Sequence, residues 1–211
     1  MSLDRFADRA AAGRALAERL AAWRGQSDVI VLALPRGGVP VAYEVARAID
    51  APLDLFLVRK LGVPGHEELA MGALASGGEP QINAETVRAL RVSTAEIERV
   101  VARERRELER RELAYRAGRA PLVLRGRRVI LVDDGLATGA TMLAAVSAVR
   151  AAGASRIVVA VPVASAEACD LLRGSADDVV ALRVPPDFHA VGVWYADFTQ
   201  TTDDEVRALL A

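Results

Sequence analysis

The chain has 211 residues, 52% of them hydrophobic, and a formal net charge of −1. That is enough chain for one full core, and so near-neutral a charge excludes bulk attraction to nucleic acid or to an acidic membrane. The lone Cys169 excludes an internal disulfide, as befits a reducing compartment.

Asp4, Arg5, Asp8 and Arg9 interrupt any apolar signal-peptide core, and no apolar run approaches the roughly 20 residues of a membrane span, so a cytoplasmic protein is expected. Phe6, Ala10, Leu16 and Leu20 fall at helical spacing and predict a covering helix over 3–23. A β-rich run over 28–34 then ends at Pro35-Arg36-Gly37-Gly38, ahead of a helix over 41–49. Glycines at a strand-to-helix junction let backbone N–H groups approach an anion, and Arg36 adds a forked, permanently charged donor. Alone, such a sequence is usually only a turn.

The next strand is predicted over 53–58, followed by Arg59-Lys60. Of the 27 Lys+Arg residues only Lys60 is a lysine, and it stands at a predicted strand end, where the loops of α/β sheets carry function. Residues 71–82, with Gly77-Gly78 at the turn, read as a small antiparallel hairpin leaving the sheet. Ser93-Thr94-Ala95-Glu96 is a capping box opening a long helix to about residue 115. Six Glu and six Arg between 96 and 112, with a thin seam at Ile97, Val101 and Leu108, describe a loosely packed arm.

Residues 129–141, Val-Ile-Leu-Val-Asp-Asp-Gly-Leu-Ala-Thr-Gly-Ala-Thr, organise the rest. Four apolar residues predict a strand buried on both faces that delivers Asp133 and Asp134 to a rim. Small residues follow, then a helix closed by Gly153. Such a loop and helix start can hold a phosphate, with hydroxyls from Thr138 and Thr141. Two carboxylates beside a phosphate need donors such as sugar hydroxyls, or a shielding cation. Together they describe a 5-phosphorylated ribose. Strands over 156–163 and 179–184 complete a strand-helix alternation that predicts a parallel sheet with right-handed crossovers. Aromatics then gather at 188–198, where their faces could stack a planar base, and Thr202 to Glu205 cap a last helix.

The stretch 129–141 closely resembles the phosphoribosyl pyrophosphate (PRPP) motif of the type I phosphoribosyltransferases. The likeness extends over nearly the whole chain but is specific only there. It implies a single α/β domain over 1–211, with a central parallel sheet flanked by helices and a small hood. Residues 67–120 would form a flexible hairpin and helix excursion, and 185–200 the C-terminal hood. By resemblance Asp133 and Asp134 hold the ribose hydroxyls, while Gly135, Ala137, Thr138, Gly139, Ala140 and Thr141 hold the 5-phosphate. Arg36, Gly37 and Gly38, helped by Arg59 and Lys60, take the pyrophosphate. Phe188, Trp194 and Tyr195 would line the base. Mg²⁺ would be held mainly through the ligand, near Asp133, Asp134 and Asp197. The implied activity is Mg²⁺-dependent transfer of 5-phosphoribosyl from PRPP to a nitrogen acceptor in nucleotide metabolism, by a homodimer, with Asp133, Asp134, Lys60 and Arg36 as the catalytic set.

Two departures matter. Gly135 stands where the family usually has an aliphatic residue, and Ala137 where 6-oxopurine enzymes place a proton-handling Asp; alanine exchanges no proton. A non-catalytic PRPP- or nucleotide-binding regulator is therefore the alternative. A dinucleotide oxidoreductase is disfavoured, since no Gly-x-Gly-x-x-Gly follows the first strand.

Overall fold

The structure, a computed structural model, describes residues 5–76, 78–116 and 118–211, without the side chain of Glu68. Leu3, Asp4 and Gly77, used in the sequence reading, lie outside the described residues. Five parallel strands form the main sheet: β1 (Val29–Ala33), β2 (Leu53–Leu55), β6 (Arg128–Val132), β7 (Arg156–Val163) and β8 (Asp178–Arg183), in the order β2-β1-β6-β7-β8. The expected α/β architecture is present.

Both faces of the sheet are covered, which is why β1 and nearly all of β6 and β7 are buried along their length. Ile30, Leu32, Val129, Leu131 and Val159 point to one face, where Met142, Ala145, Val146 and Val149 of α5 (Ala140–Ala151) and Leu172 of α6 (Ala166–Arg173) meet them. Their sequence neighbours Val31, Ala33, Ile130, Val132 and Val158 point to the other. There they pack against α1 (Arg9–Arg19), α2 (Gly38–Ile49) and α7 (Asp203–Leu210). The period-2 alternation of each strand builds two cores from one sheet.

Among the described residues the first helix begins later than the sequence predicts. Asp8 caps it, its carboxylate accepting from Ala11 N at 2.7 Å, so Phe6 stays extended and pairs with Tyr195. A side-chain cap outweighs helical periodicity upstream of it.

The predicted strand 53–58 is also two strands. β2 ends at Leu55, and from Val58 the chain enters a second, antiparallel sheet, β3 (Val58–Val63), β4 (His66–Ala75) and β5 (Gln81–Ile82). The short α3 (Ala84–Ala89) follows, then α4 (Thr94–Arg116), opened by the expected box in which Ser93 N donates to Glu96 Oε2 at 2.8 Å. Leu57, Leu61, Val63, Met71, Leu74, Val100 and Leu108 give this part its own core.

Candidate active site

In the register of the sheet, Ala33 of β1 lies opposite Val132 of β6, and Leu34 N donates to Val132 O at 2.9 Å. The two strands therefore end together and release Pro35–Gly38 and Asp133–Asp134 side by side. From β1 the chain crosses to β2 on one side, whereas β6, β7 and β8 run to the other. This is the point where strand order reverses, the crevice in which α/β sheets bind ligands.

The approach of the two loops is close. A Cβ on Gly37 would lie 2.0 Å from Asp134 Oδ2, and one on Gly38 would lie 2.7 Å from Val132 O and 2.8 Å from Asp133 Cα. Only glycines leave the acids room. The Pro35–Arg36 peptide is cis. Asp133 Oδ1 accepts from Asp134 N at 2.8 Å. Burial pushes the Asp133 carboxyl well above the usual carboxylate range, and the Asp134 charge adds to this. Burial also raises Asp134, while a hydrogen bond from Arg9 pulls it back.

That arginine carried no sequence signal beyond its place in an arginine-rich helix. Arg9 Nε donates to Asp134 Oδ2 at 2.8 Å and Nη1 to Thr199 O at 2.7 Å, while its guanidinium lies 4.0 Å from the centre of the Phe198 ring. The first turn of α1 reaches this place because Phe6 N donates to Trp194 O, and Asp197 N to Ala7 O, both at 2.9 Å. One acid of the pair thus has a protein partner, yet a cavity of about 480 Å³ stays open beside it.

Arg36, Gly37 and Asp134 of the predicted set line that cavity. So do Arg9, Arg110, Arg111, Tyr115, Phe198, Gln200, Thr201 and Asp203. Arg36 Nη1 donates to Asp203 Oδ1 at 3.2 Å, and the Tyr115 hydroxyl donates to the same oxygen at 2.8 Å. These bonds, the tyrosine's first, hold the Asp203 carboxyl below its ordinary value. The sequence marks Asp203 only as the first residue of a capped helix.

Residues 138–141 are not among the described residues lining this cavity. They form the next turn along the rim. Gly139, at φ +73°, caps α5 without a side chain of its own; Thr138 Oγ1 accepts from Ala140 N at 3.4 Å, and the other N–H groups of the first turn have no side-chain partner among the described residues. The loop is braced from behind: Leu136 N donates to Val163 O at 2.9 Å and Ser165 Oγ to Ala137 O at 2.7 Å. Gly135 has its own reason, since a Cβ there would lie 2.5 Å from Val191 Cγ1. Val191 fills the space an aliphatic residue would take.

Other predicted residues lie elsewhere. Arg59 and Lys60 are within β3, opposite Leu74 and Ala73, and Arg59 pairs with the buried Glu104 of α4 at 2.8 Å. Phe188 and Trp194 are half-buried against a cluster of Phe6, Val163 and Tyr195. Tyr195 is turned inward: its ring is buried, and its hydroxyl donates to the backbone oxygen of Asp134 at 2.5 Å. It props the acidic loop from below. Asp197 accepts from Thr199 N at 2.9 Å and Thr199 Oγ1 at 2.6 Å. Among the described residues no helix is long and apolar enough to cross a membrane.

Comparison with known proteins matches nearly the whole chain. The phosphoribosyl transferase domain family matches residues 3–197. Two Mycobacterium tuberculosis proteins, "Putative phosphoribosyl transferase MT0597" of strain CDC 1551 and "Putative phosphoribosyl transferase Rv0571c" of strain H37Rv, are each 49% identical over 205 residues. These cover 97% of this chain but 46% of each relative, so the chain spans about half their length. The crystal structure of TT1426 from Thermus thermophilus superimposes with a TM-score of 0.91 at 50% identity, over 98% of this chain and 97% of that one.

Proposed function

Because the chain belongs to the phosphoribosyl transferase domain family, we propose that it transfers a 5-phosphoribosyl group from PRPP to a nitrogen acceptor and releases pyrophosphate. The observation that carries this reading is the meeting of Asp133–Asp134 with the Arg36–Gly37–Gly38 loop at the reversal of strand order, beside a cavity of about 480 Å³. The acids accept from the ribose hydroxyls, and the first turn of α5 with Thr138 and Thr141 takes the 5-phosphate. Arg36 donates to the leaving pyrophosphate, on which negative charge grows as the bond to C1 breaks. Asp133 and Asp134 meanwhile favour the positive charge that develops on the sugar ring. For Ala137, which has no proton to exchange, acceptor deprotonation must come from another group.

Mg²⁺ fits this site only as a passenger of the ligand. Among the described residues no three His, Cys, Asp or Glu side chains converge on a cation position, Asp134 already holds Arg9, and Asp197 is engaged by Thr199. Magnesium commonly takes one or two carboxylates and completes its shell with water and phosphate oxygens, and among the described residues Asp133 forms no ion pair with an arginine, while Asp134 does. When bound, it would neutralise charge on the pyrophosphate.

The reading is tested by calorimetric titration with Mg²⁺ and PRPP, then by pyrophosphate release with a panel of bases. Binding should be lost in the double variant Asp133→Asn with Asp134→Asn; unchanged affinity rejects the site. Ala137 also supports a second reading, a regulator that binds PRPP or a nucleotide without turnover. Tight PRPP binding with no pyrophosphate release for any base would select it.

A further inference from the structure

Resting on that reading, we propose that the last turns of α4 form a second wall of the pyrophosphate site, in which Arg110 and Arg111 grip the diphosphate end of the ligand together with Arg36. The loop after β1 is poorer in donors than its glycines suggest. Gly38 N already donates to Leu34 O and Val39 N to Arg36 O, each at 3.1 Å, and Arg36 shares its charge with Asp203 at 3.2 Å. A diphosphate brings several negative charges, so the loop, even with Mg²⁺ bound, leaves part of its neutralisation to other groups.

α4 supplies it. Arg110 and Arg111 line the same cavity as Arg36, and with Arg9 they set four guanidiniums against the carboxylates of Asp134 and Asp203. Glu107, behind the wall, pairs with both Arg110 and Arg111 and offsets one of the two excess charges, so the wall keeps a smaller positive balance that a bound anion cancels. The arginines are also pre-aimed. Glu107 accepts from Arg110 Nε at 2.9 Å and Arg111 Nε at 2.8 Å, and the helix end is tied to Asp203, hence to Arg36, through the Tyr115 hydroxyl. Fixed guanidiniums lose less freedom when they take hold of a phosphate.

The test separates this wall from the parent reading. Inorganic pyrophosphate and ribose 5-phosphate are titrated separately into the wild-type chain, into Arg110→Gln with Arg111→Gln, and into Arg99→Gln with Arg106→Gln. The last pair removes the same charge from the same helix but lines a different groove, beside the β3–β4 turn. The expected result is a loss of pyrophosphate affinity of at least about tenfold in the first pair only, since a charged hydrogen bond is worth that much. Ribose 5-phosphate affinity should stay as in wild type throughout. Equal loss in both pairs, or no loss in the first, overturns the wall and leaves the phosphoribosyl reading standing. Wild-type protein that binds neither probe overturns both. Should the glutamine pair fail to fold, Arg110→Lys with Arg111→Lys keeps the charge but not the fork, and must still weaken pyrophosphate.

Discussion

Two adjacent glycines do different work at the centre of this molecule. A Cβ on Gly37 would meet the Asp134 carboxylate, the movable end of a side chain, whereas one on Gly38 would meet the backbone of Val132 and Asp133. Gly37→Ala is therefore expected to push Asp134 off Arg9 and weaken PRPP binding about tenfold or more with the fold intact. Gly38→Ala must move a strand end instead and should destabilise by about 1–3 kcal/mol. Calorimetry with PRPP and urea unfolding of the two variants distinguish these outcomes; the same effect from both would contradict them. Tyr195 gives a second contrast. Its hydroxyl supports the Asp134 carbonyl, so Tyr195→Phe leaves a part-buried acceptor without its partner and should cost about 1 kcal/mol, read as a lower urea midpoint at unchanged slope.

The elements of the parallel sheet are legible in the sequence because each rests on local signals. Apolar runs mark β1, β6 and β7, Ser165 caps α6 through Ala168 N, and Thr202 with Glu205 closes the box of α7. The acidic pair is legible for the same reason, as an abrupt change at the end of such a run. What is illegible depends on pairing across long separations. Nothing near Arg9 announces Asp134, 125 residues away, and nothing near Tyr115 announces Asp203. The departure of β3 from the main sheet is set by its pairing with β4, not by its composition.

α4 stands between the two: its sequence gives a loosely packed arm that could move over the site, but not which of its arginines line the cavity. Its local electrostatics allow a check. Hydrogen bonds from Arg110, then Arg111, hold the Glu107 carboxyl at about 2 against an ordinary 4.5. The folded chain thus binds fewer protons here than the unfolded chain between those values, and this contribution to stability is present above about pH 4.5 and disappears as pH falls toward 2. Thermal midpoints should accordingly be higher for wild type than for Glu107→Gln near neutrality. The gap should close on acidification through that window; a gap independent of pH would mean that the pair does not hold α4.

At the scale of the molecule, the chain divides its apolar residues unequally between two sheets. The parallel sheet is packed on both faces, with β1 and most of β6 and β7 sealed from water. The antiparallel sheet has a small core of its own, β5 is exposed, α3 buries nothing, and α4 buries only Val100, Glu104, Leu108 and Arg116 among its described residues. A unit with so little buried apolar surface opens at lower free energy than the sheet it hangs from. Its C-terminal end is nevertheless fastened twice. Arg116 grips Asp54 of β2 with Nε at 2.9 Å and Nη2 at 2.8 Å, and Tyr115 holds Asp203 of α7. Hydrogen exchange should therefore be fastest in β5 and α3, slower toward the C-terminal end of α4, and slowest in β1, β6 and β7. Pyrophosphate should slow the last turns of α4 while leaving β5 and α3 as they were, because only the former border the ligand. Uniform protection along α4 would show that the arm responds as one body, whereas no protection would show that it does not meet the ligand and would detach it from the proposed site at the end of β6.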